Sequence, residues 1–377
     1  MTTTAAPPTS TPADRPEPVG GGTTTEPAVA AAKPPTPPRV KALQRFALSI
    51  TVFNIVGHLF LGFEQSPITP ILALLGSYAT ALLMEWVDSR ARGRVPEFVG
   101  GTGNLVTFLL PAHIAGLACA MLLWGNESIW PYLFAVTAAN ASKYVIRLRE
   151  NGRLRHMLNP SNAGIALTLV VFPWVGIAPP YHFTNNISDT LDWLLPLAVL
   201  GAGTMLNAGL TKKIPLIMAW VLGFAAQAFL RWLFLDHSLV GALLPMTGFA
   251  FILFTNYMIT DPGTTPRSRR GQVIFGLTAA AIYSILVLAE VSFGLFFALV
   301  ITCILRGLIL LFSPARRESN RRAAEAATAG TATATAGTAT ATAGTATATA
   351  GTATATAGTT PAAPVAEPAK TVAGPPK

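Results

Sequence analysis

Apolar runs of about twenty residues recur from residue 43 to residue 312, and the short segments between them hold nearly all of the charge. A helix crossing the hydrocarbon core of a bilayer needs about 20 mostly apolar residues. Inside that core a backbone must satisfy its own hydrogen bonds, which favours helices. Reading by hydropathy window gives about ten spans, near 43–63, 68–87, 104–124, 130–148, 161–178, 190–210, 214–234, 239–259, 272–290 and 292–312. Of the 377 residues, 51% are hydrophobic and 11% charged, against about 25% charged in soluble domains. The expectation is an all-α polytopic membrane protein, with the lipid bilayer as its first partner.

The loops alternate in sign. Basic groups precede the first span (Arg39, Lys41, Arg45) and follow the second (Arg90, Arg92, Arg94) and fourth (Lys143, Arg147, Arg149, Arg153, Arg155). They recur after the sixth (Lys212, Lys213), the eighth (Arg267, Arg269, Arg270) and the tenth (Arg316, Arg317, Arg321, Arg322). Between them fall Glu64, Glu127, Asp189 with Asp192, Asp236 and Glu290; Arg231 is the exception. By the positive-inside rule both termini face the cytoplasm of a bacterial-type inner (plasma) membrane, in a multi-pass arrangement. The net charge of +9 therefore reports topology and gives no reason to expect a nucleic-acid partner.

Five spans per half run the second half, 190–312, upside down relative to the first, 43–178, so two inverted five-helix repeats are expected. The third spans of both halves are interrupted. The first has Gly100-Gly101-Thr102-Gly103-Asn104 and then Pro111; the second has Gly241 and then Pro245-Met246-Thr247-Gly248. Matched interruptions of this kind mark central sites in inverted-repeat membrane proteins, although Gly and Pro are also common in membrane helices.

Residues 39–313 thus form the membrane domain. Residues 1–38, rich in Pro, Thr and Ala, read as a disordered extension without the apolar core of a signal peptide. Residues 314–377 read as a disordered tail, with Gly-Thr-Ala-Thr-Ala-Thr-Ala repeated from Gly330 to Gly358. The seven-residue period has no large apolar residue to form a coiled-coil seam. Cys119 and Cys303 both lie in apolar runs and read as packing residues.

Polar groups within the spans are few. Asn54 and His58 share a helix face, and His113 follows Pro111 by two residues. Two intramembrane histidines raise the question of a haem, but their depths do not match, and interhelical hydrogen bonding is the plainer expectation for both. Glu85 and Asp88 end the second span. Arg306, inside the tenth, is expected to snorkel or to pair with Glu85 or Asp261. There is no Walker A, HExxH or GxSxG arrangement and no Cys/His metal cluster, so no metal site, hydrolase or ATPase is expected.

Two stretches carry more. Gly248–Gly276 reads as an apolar helix ending at Thr260-Asp261-Pro262-Gly263, a basic turn, and a new helix from Val273. A carboxylate where helix meets headgroup usually has a role, yet Asp-Pro-Gly with a capping Thr is also an ordinary turn. Leu158-Asn159-Pro160-Ser161-Asn162-Ala163-Gly164 opens another apolar helix. Asn159 or Ser161 suits the N-cap and Pro160 the first turn. The exposed N–H groups of such a helix start can receive an anion such as a flavin phosphate; the alternative is a plain cap.

Both stretches resemble the NqrB/RnfD family, the flavin-carrying membrane subunits of sodium-pumping NADH:quinone reductase and of the Rnf complex. Met258-Ile259-Thr260-Asp261-Pro262, Thr264-Thr265-Pro266 and Gly271 through Phe275-Gly276 look like one family signature. The Asn-Pro stretch, with its helix ending at Phe172-Pro173, looks like another. The Thr-Asp-Pro-x-Thr-Thr-Pro-Arg-Ser-Arg form resembles most the UnbU-type enediyne biosynthesis branch. The resemblance covers roughly Leu43 to Phe312 and is loose outside the two motifs.

It implies an inverted five-plus-five architecture, membrane electron transport beside other redox-complex subunits, and a flavin near Asn159, Ser161, Asn162, Asp261, Thr264 and Thr265. The family's Ser-Gly-Ala-Thr attachment sequence for covalent FMN is absent; the interval reads Phe183-Thr184-Asn185-Asn186-Ile187-Ser188-Asp189-Thr190. A non-covalent FMN or riboflavin is the form the resemblance leaves. On this reading no residue is catalytic and the chain is at most an electron-transferring subunit. The rival readings are a transporter or export helper for a small molecule and a cofactor-free scaffold.

Overall fold

The structure is a computed structural model; residues 37–150, 153–179, 186–313, 318, 321, 322 and 325 are described here. The expected disordered segments lie outside these residues, except for Pro37, Pro38 and the last four positions, where Arg321 bonds Glu318 and Glu325. Residues 183–185 of the interval searched for an attachment sequence lie outside them too.

The apolar runs form helices: α1 (Pro38–Val56), α2 (Ile68–Ala91), α3 (Thr102–Leu122), α4 (Trp130–Val145) and α5 (Pro160–Val171). In the second part of the chain come α6 (Thr190–Leu206), α7 (Ile214–Leu235), the short α8 (Leu239–Leu243) and α9 (Phe249–Leu253), α10 (Arg269–Leu288) and α11 (Gly294–Phe312). Seven helices among the described residues are long and apolar enough to cross a membrane. An eighth candidate is the pair Leu239–Thr247 and Phe249–Met258, which meet at a bend of 63°. The two remaining expected spans are shorter helices, α4 with 16 residues and α5 with 12. Asn159 stops α5 from starting earlier, and Phe172-Pro173 stops it from running on.

Strands are minor. β1 (Leu123–Trp124) pairs antiparallel with β4 (Gly176–Ile177), and β2 (Arg147–Glu150) with β3 (Arg153–His156). The second pair is a hairpin of basic residues that carries the chain from α4 to α5.

Packing follows a repeated order. α4 lies between α2 and α5, α10 lies between α7 and α11, and α5 touches α11. Both sets of helices approach closely at glycine. A Cβ on Gly164 would strike the Ala135 carbonyl of α4, and one on Gly276 would lie 2.7 Å from the Leu216 carbonyl of α7. α1 and α6 also end alike. Each passes into a five-residue π turn, Gly57–Leu61 and Asn207–Thr211, closed by a left-handed residue, Gly62 and Lys212.

One expectation is corrected. The third spans are not both broken. α3 runs unbroken through Pro111, whereas the second half has a 3-10 turn at Leu244–Thr247 and an extended Gly248. Ser77 of α2 donates to the Ala112 carbonyl at 2.7 Å, which ties α3 to α2 one residue beyond Pro111.

Candidate functional site

The two signature stretches meet, although they are 99 residues apart. Asn159 caps α5: its Oδ1 accepts from the Asn162 N–H at 3.2 Å and from Ser161 Oγ at 3.0 Å. Its Nδ2 donates to the Met258 carbonyl at 2.8 Å. Met258 ends a third π turn, Phe254–Met258, and π turns leave backbone carbonyls looking for partners. Asn162 reaches the other way and donates to the Phe296 carbonyl of α11 at 2.9 Å. Its own Oδ1 is buried and accepts nothing among the described residues. The helix-start N–H of Asn162, considered for an anion, is therefore taken by the Asn159 cap.

Asp261 organises the turn that follows. Its Oδ1 accepts from the Gly263 N–H at 3.0 Å and its Oδ2 from Thr264 Oγ1 at 2.9 Å. Its carbonyl accepts from Thr265 Oγ1 at 2.6 Å. His156, at the end of β3, places Nε2 3.7 Å from Asp261 Oδ2. A Cβ at Gly263 would occupy the position of the His156 ring, so glycine lets the hairpin lie against the turn. Arg155 donates to the Pro262 carbonyl at 2.9 Å and Lys213 to the Pro266 carbonyl at 2.6 Å.

The electrostatics follow. Burial opposes the charge on Asp261, but His156, the Gly263 N–H and the Thr264 hydroxyl outweigh it and hold the carboxyl at about 2. Burial pushes Lys213 down to about 8 despite the attraction of Asp261. Among the expected partners of Arg306, Glu85 is gripped by Arg94 at 2.6 and 3.0 Å. Asp261 has the contacts just given.

The six expected site residues thus form one contiguous network of cap and turn. His156, Arg155 and Lys213 complete it and were missed; the basic loops read as topology signals, and nothing local distinguishes His156.

Beside this junction a small apolar cavity of about 50 Å³ is walled by Phe46, Phe53, Met121, Ser161, Tyr257 and Met258. Phe46 and Phe53 stand edge-on to Tyr257, with centroids 5.8 and 5.7 Å apart. The buried Asn54 Oδ1 accepts nothing among the described residues, and its Nδ2 is 4.0 Å from Met121 Sδ. The aromatic walls would suit the rings of a flavin, but neither Asn54 nor Asn162 lines this cavity. A volume of this size holds a water or two, at about 30 Å³ each. The three rings must part before a flavin is admitted.

His113 is committed elsewhere. Its Nε2 faces Thr51 Oγ1 at 2.7 Å and its Nδ1 faces the Tyr78 hydroxyl at 2.6 Å. Thr51 gives its own proton to the Ala47 carbonyl, so Nε2 carries the hydrogen and Nδ1 accepts from Tyr78. His58 Nδ1 lies 2.9 Å from the Asn54 carbonyl on its own helix, so its described bond is not interhelical. No cluster of metal-ligating side chains occurs among the described residues.

These features define a multi-pass helical membrane protein with a hydrogen-bonded junction between two distant motifs. No known family model matches the chain, and no curated protein matches it.

Proposed function

We propose that the chain is an integral membrane subunit of the NqrB/RnfD type, serving membrane electron transport or a redox step of enediyne-like biosynthesis beside partner subunits. The observation that carries this reading is the bond from Asn159 to the Met258 carbonyl. It joins the two motifs on which the resemblance rests. On this reading ten segments cross the membrane in two inverted five-helix halves. The matched packing of α2–α4–α5 and α7–α10–α11 supports it, as do the matched π turns. The short α5, about 18 Å long, crosses together with its flanking segments.

On this reading both termini face the cytoplasmic side of a bacterial-type plasma membrane. Exposed Trp130, Trp174, Trp193 and Trp232 lie at the acidic ends of their segments, consistent with an interfacial belt opposite the basic loops.

A non-covalent flavin, when bound, supplies one- and two-electron transfer. Phe46, Phe53 and Tyr257 would flank its rings once they part. Asn159 and the Asp261 turn, with Thr264 and Thr265, fix the helix ends beside it.

The test is an absorption spectrum of the detergent-purified protein before and after denaturation and filtration. Flavin in the filtrate is the expected result. A colourless preparation from cells rich in flavin overturns the redox reading. A second reading, a small-molecule transporter or export helper, is favoured by the 63° break before Phe249, since broken helices line transport sites. Substrate flux from a colourless preparation, abolished by locking that break, would establish it.

A further inference from the structure

A second cavity, polar and of about 310 Å³, lies between the ends of α2 and α4, hairpin β2–β3 and Gly263. It stands apart from the aromatic cavity and does not depend on the redox reading. Five arginine or lysine side chains and three carboxylates line it, together with His156.

Two of the carboxylates are already satisfied. Glu85 accepts from both Arg94 terminal nitrogens, from the Glu97 N–H at 2.8 Å and from the Tyr144 hydroxyl at 3.2 Å. Asp88 accepts from Arg92 at 3.0 Å, Arg94 at 2.7 Å and Arg147 at 3.1 Å. The third, Glu97, opposes an anion, but the cations still exceed the acids by two.

Donors remain on the far wall. Lys143 makes one bond among the described residues, to Asn140 Oδ1 at 2.8 Å, and an ammonium carries three N–H groups. Arg147 spends Nε on the Lys143 carbonyl at 2.6 Å and Nη1 on Asp88. Its planar fork is seated on the Tyr144 ring at 4.5 Å, and its remaining N–H groups make no bond among the described residues. A rigid guanidinium beside an ammonium is the donor set that recognises a phosphate-type oxyanion.

We infer that this cavity binds a phosphate-type oxyanion, with Lys143 and Arg147 as its donors. The same chemistry is offered by a free phosphate and by the headgroup of an anionic phospholipid, because the cavity sits where two apolar helices end. The volume accommodates a phosphate with several waters, at about 30 Å³ per water.

The experiment uses the full chain in neutral phosphatidylcholine nanodiscs at low salt, titrated with inorganic phosphate by calorimetry. Saturable binding is expected. Lys143→Met should weaken it by about tenfold, the value of one charged hydrogen bond, while Lys143→Arg retains it. The double change Arg269→Gln and Arg270→Gln removes more charge from an exposed helix start outside the cavity and should leave binding unchanged.

A second arm uses native mass spectrometry from mixed phosphatidylglycerol and phosphatidylcholine. One retained phosphatidylglycerol, lost in Lys143→Met, assigns the lipid headgroup as the source. Saturable phosphate without lipid retention assigns the free anion. The inference is overturned if wild type shows neither, or if both persist in a monodisperse Lys143→Met protein.

Discussion

α3 and its counterpart, α8 through the π turn at Phe254–Met258, carry the same kinds of residue and end differently. α3 contains Pro111 and stays one helix of 21 residues. The counterpart contains Pro245 and bends by 63°. The difference lies in what surrounds the proline. Pro111 sits mid-helix, where Ser77 of α2 donates to the Ala112 carbonyl and in turn accepts from Asn140 of α4 at 2.8 Å. Pro245 is followed by Gly248, whose extended backbone ends one helix and caps the next. In this chain the helix that breaks near its proline is the one with a glycine three residues beyond it.

The comparison can be broken most severely at the contacts both halves share. Gly164→Val and Gly276→Val each force a side chain into a facing helix backbone. Each should abolish recovery of monodisperse protein by size-exclusion chromatography. If only one does, the halves do not fold by the same packing.

Next come the bonds that brace each third segment. Ser77→Ala removes the support of α3, and Trp220→Phe removes the bond to Thr255 at 3.0 Å beside the broken segment. Ser77→Ala should cost about 1 kcal/mol and Trp220→Phe more, because the shrunken ring also leaves a cavity in a fully buried aromatic cluster; both are read as a drop in thermal midpoint in detergent. A larger loss for Ser77→Ala, with new bending of α3 in spin-label distances, would sharpen the comparison.

Asp261 gives a pH test of the same broken segment, because its turn follows directly. Its folded pKa of about 2 lies below the ordinary carboxylate value of 3.8. The stabilisation is therefore complete above that ordinary value and is lost as pH falls through about 2. Wild type should lose stability across this window and Asp261→Asn should lack that component, measured by thermal midpoint against pH.

The smallest effects belong to the glycines in open space. Gly103→Ala meets nothing within 4 Å, and Gly201→Ala likewise. Both should stay within about 0.5 kcal/mol of wild type, and a large loss at Gly103 would mean that the start of α3 moves.

Much of the fold was legible because hydropathy registers solvent directly. The apolar runs, the loops between them and the Asn159 cap all follow from local composition. The lengths of α4 and α5, the β2–β3 hairpin and the continuity of α3 depend on partners far along the chain, which no window sees. The site was legible in the same uneven way. Asn159 and Asp261 stand out as cap and turn residues. That Asn159 reaches Met258, and that His156 lies against Gly263, are facts of tertiary packing without a local signature.

The π turns that close α1 and α6 set a reading frame. A π turn is an α-helix holding one residue too many, and each helical residue advances the face by about 100°. Deleting one residue of 57–61 would let that turn relax to an α turn and leave Gly62 and Phe63 near their present face, whereas deleting one residue from the regular helix before it would swing them by about that angle. The same would hold for 207–211, Lys212 and Lys213. The chain carries this spare residue twice, at the ends of α1 and α6, each time as an insertion that looks, in the sequence alone, like nothing at all.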